Sequence, residues 1–161
     1  MKMNLLKKNY QIKLLFVIFF LIFNFIHLFY LAQSLMNGID YKGINPTNWW
    51  ISEKYDGIRG YWNGNNFYSK KGELIICPEE FKNKMPINKL DGELWIGYNQ
   101  FTGINSILKS NNWNEINFQI FDICDEKYKN LIFEERLEKL KEIKLQIKDE
   151  RINVNFYFEI I

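Results

Sequence analysis

Histidine is nearly absent from this 161-residue sequence, and the one present, His27, lies inside an apolar run near the start. That removes histidine general-base chemistry and most zinc sites from the remainder. Cysteine is almost as scarce. Cys77 and Cys124 form no metal-ligand pattern, and both a disulfide and a pair of buried thiols fit them, the thiols better. No repeat or low-complexity tract follows the first 34 residues, and no large excess of one charge exists, with 21 basic residues against 19 acidic. A composition 47% hydrophobic and 25% charged is that of a folded chain with room for one ordinary domain.

Residues 1–34 read differently from the rest. Lys2, Lys7, Lys8 and Lys13 precede an almost uncharged run from Leu14 to Leu31, followed by Ala32-Gln33-Ser34, with small residues at the spacing a leader peptidase accepts. A cleaved export signal fits this pattern. So does an uncleaved membrane anchor, since the run is just long enough to cross a bilayer. Either way the remainder is delivered across a membrane, with the basic end left on the cytoplasmic side. Removing the segment subtracts four lysines and no acid, leaving 17 basic residues against 19 acidic. Any nucleic-acid binding therefore needs a local basic patch, or parts outside this chain.

Residues 35–48 carry Gly38, Gly43, Asn45 and Pro46 and read as a linker. The folded part begins near Trp49. Strands are predicted over 49–54, 57–62, 67–70, 73–77, 90–97, 117–123 and 153–161, the early ones joined as antiparallel hairpins through turns at 63–66 and 71–72. Helical segments are predicted at 78–84, 101–110 and 133–147, the last with Phe133, Leu137, Leu140 and Ile147 on one stripe. Strands without regular alternation with helices give an α+β fold with antiparallel sheets and flanking helices. A strand running to Ile161 with no cap or polar tail reads as a chain interrupted inside a larger domain.

The chemistry concentrates in Ile51-Ser52-Glu53-Lys54-Tyr55-Asp56-Gly57-Ile58-Arg59, where four charges surround one glycine inside an apolar, aromatic run. A nucleophilic lysine must lose its proton, and a semi-buried, strand-borne lysine beside another cation has its pKa lowered; Lys54 with Arg59 nearby offers that. Phosphoryl chemistry also needs oxygen ligands for a divalent metal, for which Glu93 and Asp122, at expected strand ends, are the candidates. Gly57 and Gly92 read as tight turns that let the backbone approach a nucleotide.

These residues resemble, in order and spacing, the covalent nucleotidyltransferases, and among them the small exported bacterial ATP-dependent DNA ligases. Glu53-Lys54-Tyr55-Asp56-Gly57-Ile58-Arg59 looks like the family's lysine motif, which makes Lys54 the nucleophile that takes AMP and puts Glu53, Asp56, Gly57 and Arg59 around the nucleotide. Ser69-Lys70-Lys71-Gly72 is similar to the next motif, with Lys70 where the family has an arginine; charge is kept and the bidentate fork lost. Leu90-Asp91-Gly92-Glu93-Leu94-Trp95 resembles the third, whose glutamate, here Glu93, binds the ribose and helps position the metal. Phe118-Gln119-Ile120-Phe121-Asp122 resembles the motif whose aromatic stacks on adenine, which assigns Phe121. Tyr98 stands where the subgroup has an arginine.

The resemblance implies part of an adenylation domain over 49–161, ATP as the nucleotide, a divalent metal, Mg2+ being expected, and nicked double-stranded DNA as the partner of a complete ligase in repair, recombination or replication. It also implies a bacterial location beyond the cytoplasm, in the periplasm or on the inner membrane. The family's glutamate-glycine motif, its paired lysines and its oligonucleotide-binding barrel are not in this sequence. An RNA ligase or capping-type enzyme, and a catalytically inactive, exported or membrane-tethered nucleotide-binding remnant, are the alternatives.

Overall fold

A computed structural model describes residues 16–23, 35, 37–110 and 112–160. The chain divides into two compact units, Met1–Leu35 and Met36–Ile161. In the first, residues 16–23 form a helical stretch in which Phe19 and Phe23 stack with ring centroids 6.3 Å apart. Most of the expected leader lies outside the described residues. Among the described residues no helix is long and apolar enough to cross a membrane.

The second unit runs β1 (Trp50–Ser52), β2 (Ile58–Trp62), β3 (Phe67–Ser69), β4 (Leu74–Ile75), α1 (Glu79–Lys82), β5 (Leu90–Trp95), α2 (Phe101–Ser110), β6 (Asn117–Ile123), a single 3₁₀ turn (Glu126–Tyr128), α3 (Phe133–Lys144), β7 (Ile152–Val154) and β8 (Tyr157–Glu159). Six strands form one sheet in the order β4-β3-β2-β5-β6-β7, and β1 pairs with β8 in a two-stranded ribbon. The fold is α+β, as the element pattern predicts. Every pair is antiparallel except β6 and β7, which run parallel because α3 lies between them as a crossover.

Alternation along the strands sorts the side chains into two faces. Ile58 and Trp62 of β2, Phe67 of β3, Leu90 and Leu94 of β5, Phe118 and Ile120 of β6 and Ile152 of β7 join one core cluster, closed by Phe81 of α1, Ile104 of α2, and Leu140 and Ile143 of α3. Phe67 is the hub: fully buried, it meets the rings of Trp62, Phe81, Trp113 and Phe118 at 4.9 to 6.2 Å. Fully burying one such ring contributes roughly 1.5–3 kcal/mol. The intervening residues, Arg59 and Tyr61 of β2, Asp91 and Glu93 of β5 and Gln119 of β6, share the opposite face.

Several expected elements are shorter or paired differently. The first strand ends at Ser52, and it pairs with β8 across the chain instead of forming a hairpin with β2. Asp56-Gly57 is no hairpin turn, because Gly57 lacks the positive φ such a turn needs. Lys70 lies in the turn just past β3, and only Leu74 and Ile75 of the expected 73–77 strand pair. The expected strand 153–161 is two: Asn155 breaks it, bonding Ile120 O through its N–H at 2.7 Å and Glu53 O through Nδ2 at 3.3 Å, so that β7 and β8 serve different sheets. The last helix stops at Lys144, whose ammonium caps the carbonyls of Asp149 and Ile152; Ile147 stays buried beyond it. Cys77 and Cys124 are free thiols.

Candidate active site

Lys54 sits in the loop between β1 and β2, and that loop is fastened on both sides of it. The Gly57 N–H donates to Glu93 Oε1 at 3.1 Å. Tyr55 packs edge-on against Trp95, centroids 4.9 Å apart. The Glu53 carbonyl accepts from Asn155, and its carboxylate accepts from the Tyr98 hydroxyl. Lys54 itself projects outward with 81% of its side chain exposed, and its ammonium lies 3.9 Å from Asp40 Oδ1. This corrects the expectation of a semi-buried lysine on a strand beside a second cation. Arg59 is instead drawn the other way, to Asp91.

That arginine is the most constrained cation on the face. Its Nε donates to Asp91 Oδ1 at 2.9 Å and its Nη2 to Asp91 Oδ2, a bidentate fork on a carboxylate that is fully buried. Nη1 reaches Asn37 Oδ1 at 3.3 Å, and the guanidinium lies 5.7 Å from the centroid of the Phe121 ring. Residues 37–48, expected to be a spacer, therefore touch the site at two points, Asn37 on Arg59 and Asp40 on Lys54.

Phe121 owes its position to a bulge. Asp91 pairs with Asp122 and Gly92 with Ile120, so Phe121 is the extra residue on β6. The bulge reverses the alternation: Ile120 and Ile123 both reach the core, while Phe121 is left half-buried. Asp122 then meets Arg136 of α3, with bonds of 2.8 Å from Nε and 2.9 Å from Nη2. Both its oxygens are engaged, so it is not the open metal ligand expected of it. Glu93 is not at a strand end either but fourth of six in β5, and it is the carboxylate of this face that no arginine grips. Burial pushes its carboxyl up to about 7, opposed by the Gly57 N–H and by Arg59.

Gly57 and Gly92 are glycines for a different reason from the one expected. A Cβ at Gly57 would stand 2.2 Å from Leu94 O, and one at Gly92 2.5 Å from Gln119 O and 2.6 Å from the Phe118 ring. Their bareness lets neighbouring strands close up, and that brings the Lys54 loop down onto β5. Lys70 is exposed; extending the β2–β3 register by one residue puts it opposite Arg59, at the rim of the same face. Asp56 is exposed beside Lys54.

The structure thus gathers Arg59, Glu93 and Phe121, with Gly57 tied to Glu93 and Lys70 at the edge; Glu53, Lys54 and Asp56 are exposed on the loop that Gly57 anchors, and Glu53 is turned to Tyr98. Sequence reasoning passed over Asp91, Asn155 and Trp95. The period of two could have found Asp91, which shares a face with Glu93 two residues on and, through the strand pair, with Arg59. Among the described residues no group of three or more His, Cys, Asp or Glu side chains is arranged to hold a metal ion.

No family profile matches the chain. Over 96 residues it is 40% identical to a DNA ligase of Haemophilus influenzae, an alignment that takes in 58% of this chain and 35% of that protein. A solved structure from a study of Lig E DNA ligases, described as binding DNA with a minimal scaffold, superposes with a TM-score of 0.65 at 29% identity, covering 78% of this chain and 53% of the other. The chain therefore spans about a third of the curated relative and about half of the solved one, and over that span it is similar to DNA ligases in both sequence and fold.

Proposed function

We propose that this chain supplies the nucleotide-accepting face of an ATP-dependent DNA ligase, with Lys54 as the residue that takes AMP. The supporting observation is a juxtaposition: the loop bearing Lys54 is tied through Gly57 to Glu93, on the strand face that also carries Arg59 and, at the β6 bulge, Phe121. Likeness to DNA ligases in sequence and fold points the same way.

The Lys54 ammonium first gives a proton to water, and the free amine attacks the α-phosphorus of ATP. A nitrogen–phosphorus bond forms, the bond to the oxygen bridging to the β-phosphate breaks, pyrophosphate leaves with the electron pair, and the nitrogen gives up a second proton to water to become the neutral phosphoramidate. Phe121 offers adenine a ring face, Glu93 offers the ribose an acceptor, and Arg59 and Lys70 offer the phosphates their charge. The carboxylates at hand do not form a metal cage, since Asp91 and Asp122 are each held by an arginine. A magnesium ion brought with ATP would neutralise phosphate charge, and Glu93, which no arginine grips, is the residue of this face that would meet it. In a complete ligase the AMP passes to the 5′-phosphate of nicked DNA, and residues 1–34 direct the protein out of the cytoplasm.

The test is the intact mass of the purified chain after incubation with ATP and magnesium, beside Lys54→Ala. One added AMP on the parent and none on the variant is the expected result. An alanine variant that still gains AMP would remove Lys54 from its role, and a parent that gains none would leave a nucleotide-binding remnant as the better reading.

A further inference from the structure

The loop that carries Lys54 is held at three positions, and apart from Glu93 the groups that hold it have no part in the proposed reaction. Position 53 is bonded twice, by Tyr98 at its carboxylate and by Asn155 at its carbonyl; position 55 is packed on Trp95; position 57 is bonded to Glu93. Positions 54 and 56, between these anchors, are exposed. Three alternate residues are thus tied down by four different partners, and Lys54 lies between two of them.

Two of the anchors come from the end of β5 and the turn after it. Trp95 and Tyr98 pack on each other edge-on, with centroids 5.1 Å apart, so that Tyr55, Trp95 and Tyr98 make a continuous aromatic row beneath the loop. The row ends in a hydroxyl on the Glu53 carboxylate, one residue from Lys54. A hydrogen bond to an ionised acceptor is among the stronger kinds, and the ring beneath it restricts the phenol's own rotation. The turn is built for this: Gly97 and Asn99 flank Tyr98 with φ of 127° and 60°, which folds the chain back so that the tyrosine returns toward the loop.

We infer that Tyr98 is a positioning residue for Lys54: through Glu53, and with Trp95 against Tyr55, it clamps the nucleophile's loop so that the amine stands over the Glu93–Arg59 face. The functional half of this inference rests on Lys54 being the AMP acceptor; the clamp itself does not. The clamp fixes the backbone that carries the lysine, so part of the entropy of finding the attacking geometry is removed before ATP arrives.

The experiment uses the full chain, with Tyr98→Phe, Glu53→Ala, which leaves the Tyr98 hydroxyl no acceptor at this position, and the double variant. Tyr98→Phe keeps the ring on Trp95 and removes only the hydroxyl. The first reading is self-adenylation as a function of ATP. The maximal rate should fall about tenfold in each single variant, the size expected of one hydrogen bond to a charged group. In Tyr98→Phe the ATP concentration at half-maximal rate should stay within about twofold, because every residue assigned to the nucleotide is untouched. The double variant should be no slower than either single one, since both remove the same bond.

The second reading needs no nucleotide. Trypsin cleaves after Lys54 only when the loop opens, so cleavage there should speed up several-fold in Tyr98→Phe while cleavage after Lys71, in a separate exposed turn, stays unchanged. If the parent takes no AMP, the ligase reading fails and the tryptic measurement alone decides the clamp. Cleavage after Lys54 that is the same in parent and variant overturns the inference, and so does an unchanged maximal rate in an active parent.

Discussion

The Gly57 N–H and the Glu93 carboxylate, 36 residues apart in sequence, meet at 3.1 Å and join the lysine loop to the centre of the sheet. The bond places an acid where water is scarce, and burial lifts its carboxyl from the ordinary 4.5 to about 7. The folded state then holds a proton that the unfolded chain has already released. Stability contributed by this group is complete below about pH 4.5 and is lost as the pH rises towards 7, by up to about 3 kcal/mol. Burial pushes Asp91 in the same direction, so the parent alone does not isolate the effect. Glu93→Gln keeps an acceptor for Gly57 and cannot titrate. Urea unfolding at pH 5 and pH 8 should show a smaller loss in this variant than in the parent; equal losses would remove Glu93 as the cause.

Arg59 and Asp91 predict a different asymmetry. The carboxylate is wholly buried and the guanidinium largely so, and each satisfies the other. Asp91→Ala leaves a cation in a poorly solvated place and should cost about 3–5 kcal/mol. Replacing both partners, Arg59→Met with Asp91→Leu, removes the uncompensated charge along with the bond and should cost clearly less. Denaturant midpoints of the three proteins measure this. A double variant at least as unstable as Asp91→Ala would mean that the pair contributes more than its own burial penalty.

Much of this fold could be read from the chain. The α2 helix and the β6 strand fall within their predicted limits, and the face of β2 and β5 that carries Arg59, Asp91 and Glu93 follows from a period of two. Other features could not be read that way. The β1–β8 ribbon joins residues more than a hundred positions apart, and no local propensity encodes that pairing. The bulge at Phe121 changes parity between Ile120 and Phe121, two adjacent apolar residues that look equally suited to the core. The environment of Lys54 departs from expectation for a related reason: a lysine and an arginine five residues apart suggest neighbouring cations, but the Asp91 carboxylate, supplied by another strand, turns the arginine away.

Gly57 should tolerate no side chain. A Cβ there meets the Leu94 carbonyl at 2.2 Å, and that atom belongs to the backbone of a central strand, which cannot swing aside as a side-chain tip would. Gly57→Ala has to push β2 from β5 and stretch the bond to Glu93. The cost should reach about 1–3 kcal/mol, the usual penalty of overpacking. A glycine chosen only for turn flexibility would behave otherwise, since without a positive φ alanine would fit it with little loss. Thermal melting of Gly57→Ala beside Gly38→Ala, where nothing lies within 4 Å of a new Cβ, separates the two explanations.

Asp40 gives a prediction in which stability and function part company. Its carboxylate is 3.9 Å from the Lys54 ammonium, with both side chains mostly exposed, an arrangement that contributes little to folding. Asp40→Asn should therefore leave the unfolding midpoint within about 0.5 kcal/mol of the parent. The same carboxylate is nonetheless the anion paired with the proposed nucleophile, in the place towards which ATP phosphates must come, and it repels them. Removing it should lower the ATP concentration needed for half-maximal self-adenylation by about twofold, and the gain should shrink as salt is added, because exposed charges are screened within about 10 Å at 0.1 M. A change that persists at high salt would point away from charge repulsion and towards a contact made by the new amide.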